Sequence, residues 1–143
     1  MLGAMSAIAL IPAVSEAAWV GHASALQVAV RPPSGSPRTL FAVSFRVPPG
    51  TGRNYRHVYR ITAGTRSAAG CQARTAAEVP PTKGGVTVRV VLSPSRSAGW
   101  CAGTFHGQVW DEIIMRCPVG KACPAIVPAP QVVGRFTFRV TRG

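Results

Sequence analysis

Apolar residues recur at every second position in short runs cut by Pro and Gly clusters, and this period-two pattern calls for strands with one buried face. Leu26, Val28 and Val30 open the series, and Pro32, Pro33 and Gly35 close that run. Phe41, Val43, Phe45 and Val47 alternate with Ala42, Ser44 and Arg46, ahead of Pro48, Pro49, Gly50 and Gly52. Tyr55, His57, Tyr59 and Ile61 alternate with Arg56, Val58, Arg60 and Thr62. A loop containing Cys71 and a turn at Pro80, Pro81, Gly84 and Gly85 lead to Val86, Val88, Val90 and Leu92. Cys101, Phe105 and Val109 follow, and Phe136, Phe138 and Val140 end the pattern after a long excursion over residues 111–131. No stretch beyond the first residues offers a helical stripe. Strands with one apolar face need a second sheet to bury it, so the expectation is all-β: a single antiparallel β-sandwich of about seven strands over residues 26–143.

Residues 1–14, MLGAMSAIALIPAV, form an apolar run carrying the helix-breaking Pro12 and followed by small residues, the layout of a secretory signal. Fourteen residues are too few to span a bilayer as a helix. A signal-peptide-like leader over residues 1–25 is expected, with cleavage after Ala17 or after Ala25. No Lys or Arg precedes Met5, so the basic start of such a leader is missing and the first Met is read as lying inside it. The implied location is extracellular, without a transmembrane anchor once the leader is removed.

Export makes the four cysteines candidates for two disulfides. Cys117 and Cys123 bracket five residues that include Pro118 and Gly120, a spacing suited to a local clip, which leaves Cys71 to join Cys101. In the loop-entropy picture that longer bridge stabilises by roughly 3–4 kcal/mol. A four-thiolate zinc site is the rival, but zinc ribbons use close C-x-x-C pairs and the gaps here are 29, 15 and 5 residues.

Charge is lopsided. All sixteen Lys and Arg residues lie from Arg31 onward, opposed there by Glu78, Asp111 and Glu112, so leader removal takes the net charge from +12 to +13. A GC-rich coding sequence accounts for Arg over Lys, but not for the shortage of carboxylates, and the excess would attract acidic partners.

The strand count, the GWCAGTFHGQVW segment and the closing VGRFTFRV run resemble secreted immunoglobulin-like (fibronectin-type) β-sandwich domains of GC-rich Gram-positive bacteria. The resemblance covers nearly all of residues 26–143, although no Trp lies in the third run and Cys71 follows that run rather than preceding it. It implies a module that binds or spaces components of the bacterial surface.

Little in the chain is equipped for catalysis. Asp111 and Glu112 are adjacent, so in a strand they point to opposite faces, and no G-x-S-x-G, H-E-x-x-H or Gly-rich phosphate loop occurs. Alternation turns His57 inward and His106 outward, which argues against a shared metal. No enzyme, metal or cofactor is expected.

If the third, fifth and last strands are neighbours, their outward residues are Arg56 and Arg60; Thr104, His106, Gln108 and Trp110; and Arg135 and Arg139. Such a face suits anionic cell-envelope polymers, with Arg forks on phosphate or carboxylate and the indole on a sugar; another surface protein is the alternative partner. Two other readings stand beside it: a secreted protease inhibitor or effector using the loop 111–131, with Ile113, Ile114 and Met115 as an apolar contact patch, and nonspecific polyanion or nucleic-acid binding from charge alone. Intact mass of the chain from its native host, before and after reduction, checks the leader and the bridges. The expected result is a start after Ala17 or Ala25 and a gain of two hydrogens for each of two disulfides.

Overall fold

Alternation at Phe41, Val43 and Phe45 and at Tyr59, Ile61 and Ala63 leaves each segment with one buried side, and the two sides face each other across the core. The computed structural model describes residues 25–49, 55–80, 82–115, 119–122 and 128–143. The expected leader, apart from Ala25, lies outside the described residues, and so do Cys117 and Cys123.

Eight strands and no helix occur among the described residues: β1 (Val28–Arg31), β2 (Ser34–Gly35), β3 (Phe41–Arg46), β4 (Tyr55–Gly64), β5 (Arg74–Val79), β6 (Thr87–Leu92), β7 (Gly103–Met115) and β8 (Gln131–Val140). They form two layers, a sheet in the order β1-β3-β6 and a larger one in the order β2-β8-β7-β4-β5. The all-β, two-layer expectation therefore holds.

Three details differ from the sequence reading. The larger sheet is mixed rather than antiparallel, because β2 runs parallel to β8 with Ser34 beside Arg139. Residues 74–79, read as loop, are a strand; Thr75 and Ala77 on the inner side are too small or polar to mark the period. The excursion over 111–131 is shorter, since β7 runs to Met115 against Tyr55 of β4 and β8 begins at Gln131.

Aromatic residues fill one end of the core. Trp100, just before β7, is buried against Phe105 of β7 and Phe138 of β8 in edge-to-face contact at 5.4 and 6.1 Å, and tilts toward Phe41 of β3 at 6.4 Å. Phe138 stacks between Phe41 at 4.2 Å and Phe105 at 4.7 Å. The Trp100 indole N–H donates to the Thr39 carbonyl at 2.9 Å, so its polar atom is satisfied although the ring is 1% exposed. Next to it Cys101 is bridged to Cys71, with Cα atoms 4.8 Å apart, the pairing that the spacing indicates.

Two glycines let the layers close. Gly107 of β7 sits directly opposite Phe136 of β8, whose ring occupies the space a Cβ would need. Gly134 leaves room for Val28 and Leu26, and Leu26 bridges to it in parallel, which ties the start of the described chain to the larger sheet. Replacing Gly107 with Ala drives a methyl into the Phe136 ring in a packed core. The expected cost is about 1–3 kcal/mol, read as a lower urea midpoint at unchanged slope.

Candidate functional site

Strands β4, β7 and β8 are neighbours, so the residues expected on one outer face do come together. Register sets Arg60 beside Trp110, Arg56 beside Ile114, Gln108 between Thr62 and Arg135, and Thr104 beside Arg139. Plain alternation along β8 puts Arg135 and Arg139 on the outer side while Gly134 and Phe136 face in, and the bulge at Val109/Trp110 shifts the β7–β8 register only beyond Gly134. The β5 strand adds Arg74, Ala76 and Glu78 to this face, three residues the sequence reading did not place there.

The cations are not equivalent. Arg60 lies with its guanidinium carbon 6.0 Å from the Trp110 ring centre and its Nη2 3.3 Å from Glu112 Oε1, while its Nε is buried with no hydrogen-bond partner among the described residues. Trp110 is fixed in turn, its indole N–H donating to Thr62 Oγ1 at 3.1 Å. Arg60 is thus committed within the sheet and leaves little of its fork for a ligand. Arg56, Arg74, Arg135 and Arg139 are exposed and have no ion-pair partner among the described residues. Arg135 and Arg139, four residues apart, are separated by about 13 Å along β8.

Between these cations the surface is grooved. Thr62 and Gly64 form the floor of a shallow groove of about 540 Å³ walled by Arg74 and Ala76 on one side and His106 and Gln108 on the other. His106 and Gln108 form a ridge, and beyond it a second groove of about 430 Å³ runs along Arg135 and Thr137. Each groove has an Arg at one wall and hydrogen-bonding side chains set in a lining that is mostly carbon, and both are open to solvent along the sheet.

On the opposite side of the same sheet His57 Nδ1 lies 2.8 and 2.9 Å from the two Asp111 carboxylate oxygens, each residue slightly under one-fifth exposed. Adjacent Asp111 and Glu112 therefore face opposite ways, one on His57 and one on Arg60, and do not form a catalytic pair. His57 and His106 point to opposite faces as well. Among the described residues no group of three or more His, Cys, Asp or Glu side chains could hold a metal ion, and no helix is long and apolar enough to cross a membrane.

The apolar patch proposed on the excursion is redistributed. Ile113 and Ile114 belong to β7, Ile113 half-buried and Ile114 exposed; of the cysteine-bracketed segment, residues 119–122 are described and exposed, while Pro118 and both cysteines lie outside the described residues.

The half-buried His57–Asp111 contact has more to lose than the exposed Arg60–Glu112 pair. Asp111→Ala is expected to cost about 1–3 kcal/mol by leaving His57 without its acceptor, and Glu112→Ala less than about 1 kcal/mol. Urea unfolding of the two variants measures the contrast. No protein-family model, curated protein or solved structure matches the chain.

Proposed function

We propose that the protein is a secreted, non-enzymatic immunoglobulin-like module of the bacterial surface that binds anionic cell-envelope polymers on the outer face of its larger sheet. The observation that carries this reading is the pair of open grooves flanking His106 and Gln108, with exposed Arg74 on one outer wall and Arg135 on the other. Polymers that repeat phosphate or carboxylate along a sugar-like backbone match open grooves with cations at intervals along the strands. Arg forks bind such oxyanions bidentately, and the ridge of His106 and Gln108 offers hydrogen bonds to hydroxyls. Arg60 acts in this reading as a positioning residue, set against the Trp110 ring that Thr62 also holds.

The strand partition supports the immunoglobulin-like reading. The order β1-β3-β6 opposite β8-β7-β4 corresponds to strands A, B and E facing G, F and C. The difference from the constant-type arrangement is that β5 joins the larger sheet rather than the smaller one. Extracellular location rests on the leader-like segment and agrees with the Cys71–Cys101 bridge.

Binding to wall material bearing teichoic acid, and to heparin as a polyanion standard, tests the proposal. Alanine variants at Arg56, Arg60, Arg135 and Arg139, with Arg74 added, are expected to elute at lower salt, Arg135→Ala and Arg74→Ala more than Arg60→Ala. Elution of the combined Arg74, Arg135 and Arg139 variant at the wild-type salt concentration overturns it. Equal affinity and equal salt slope for DNA would instead mark the attraction as general charge.

A further inference from the structure

Among the described strands the sheet edges are β2 and β5 on the larger sheet and β1 and β6 on the smaller. An exposed edge is a template for further pairing, and proteins blunt such edges by shortness, Pro or charge. β2 is two residues long and β1 four. At β6 the Val47 N–H donates to the Val86 carbonyl, and ladder alternation from there turns the backbone groups of Thr87, Arg89 and Val91 toward the free side. Antiparallel self-pairing about the middle of that edge sets Arg89 against Arg89, like charges directly opposite.

β5 is six residues long, and its charges, Arg74 and Glu78, are of opposite sign and attract rather than repel in antiparallel self-pairing. Thr65 N–H donates to the Ala73 carbonyl, so alternation directs the backbone groups of Thr75, Ala77 and Val79 to β4 and those of Arg74, Ala76 and Glu78 away from it. The Arg74 carbonyl accepts from the Gln72 side-chain amide at 3.1 Å. The side chains of all three residues are exposed on the outer face. Two copies of this edge, run antiparallel about a two-fold axis at Ala76, place Ala76 opposite Ala76 and Arg74 of each copy opposite Glu78 of the other. All three pairings use backbone groups turned away from β4, the Arg74 carbonyl accepting there with the lone pair that Gln72 leaves, and the small Ala76 sits on the two-fold axis.

Charge complementarity singles out this occupant. Of the three carboxylates after the leader-like segment, Asp111 is engaged by His57 and Glu112 by Arg60, whereas Glu78 has no ion-pair partner among the described residues. It stands four positions from an exposed Arg on the same face of an unpaired edge.

We infer that β5 is a homodimerisation edge, through which two copies of this chain join antiparallel along Arg74–Val79 into one continuous ten-stranded sheet. The inference does not depend on what the outer face binds. Its consequence for that face is geometric: Arg74 and Ala76 wall one groove, so the dimer sets the two copies of this groove side by side across the axis.

Sedimentation velocity of the full chain, from micromolar to submillimolar concentration in physiological salt that screens charge beyond ~8 Å, is the test. The wild type is expected to show a concentration-dependent monomer–dimer equilibrium. Glu78→Arg and Arg74→Glu, which each create like-charge pairs, are expected to weaken association at least about tenfold, and the double swap to return it to within about threefold of wild type. Arg74→Glu is the discriminating variant, because it lowers the net positive charge and would strengthen association if general repulsion were in control. Ala76→Pro removes the central free N–H without touching the β4 ladder and is expected to reduce dimer while keeping the wild-type urea midpoint. A monomer at every concentration overturns the inference, and so does a dimer that Glu78→Arg leaves unchanged or that the double swap fails to restore.

Discussion

Trp100 is the contact on which the two layers depend. It belongs to neither sheet, yet it reaches Phe41 in the smaller one and Phe105 and Phe138 in the larger, so the layers meet through it as well as through each other. Its backbone N–H donates to the Pro37 carbonyl and its indole to Thr39, which anchors the connection between β2 and β3. Gly99 before it adopts a positive φ of 68° with Pro37 close by, a position where a side chain would be strained. Cys101 after it fixes the β4–β5 connection through Cys71, and Cys101 N–H donates to Gln72 while Gln72 N–H donates to Gly99. One buried ring thus fixes three loops at one end of the molecule. The opposite end is held by Phe45 and Tyr59, edge-to-face at 5.2 Å, and by the His57–Asp111 contact.

The shortage of carboxylates makes the position of each one informative. Asp111 and Glu112 are sequence neighbours that serve opposite faces, one restraining His57 on the inner side and one holding Arg60 against Trp110 on the outer side. That division leaves Arg56, Arg74, Arg135 and Arg139 as cations on the outer face without an ion-pair partner among the described residues. A polymer-binding face and an edge that pairs with itself share Arg74, which walls one groove and stands opposite Glu78 of the other copy in the dimer, so in the dimer polymer binding falls mainly to Arg135 and Arg139. If both hold, a dimer presents two arrays to one chain of repeating charge, and simultaneous engagement raises avidity without any new contact.

Strands with large alternating residues were legible in advance. Phe41, Val43 and Phe45, or Phe136 and Phe138, announce both the element and its buried face. β5 was not, because its inner side carries Thr75 and Ala77, whose apolar contrast with Arg74 and Glu78 is too weak to mark a period without a neighbouring strand. β2 is two residues held by pairing with β8 and has no local signature at all. The end of β7 was missed for a related reason: Asp111, Glu112, Ile113 and Ile114 break the alternation, and pairing with β4 carries the strand through them. The Arg residues of the outer face were found by alternation, but their inequality was not, since Glu112 and Trp110 become neighbours of Arg60 only across strands.

By itself the sequence determined the all-β class, the inward residues of the larger strands and the outward placement of the Arg and His106 side chains, and it favoured the Cys71–Cys101 pairing that the structure shows. These follow from local rules, because side-chain direction in a strand repeats every two residues and loop length limits which thiols can meet. The tertiary structure alone decided the partition of strands between layers, the seating of Trp100, the capture of Arg60 and the exposed edge that pairs Arg74 with Glu78 in complementary register. Each of those depends on which segments lie side by side, a property of long-range packing that no run of neighbouring residues encodes.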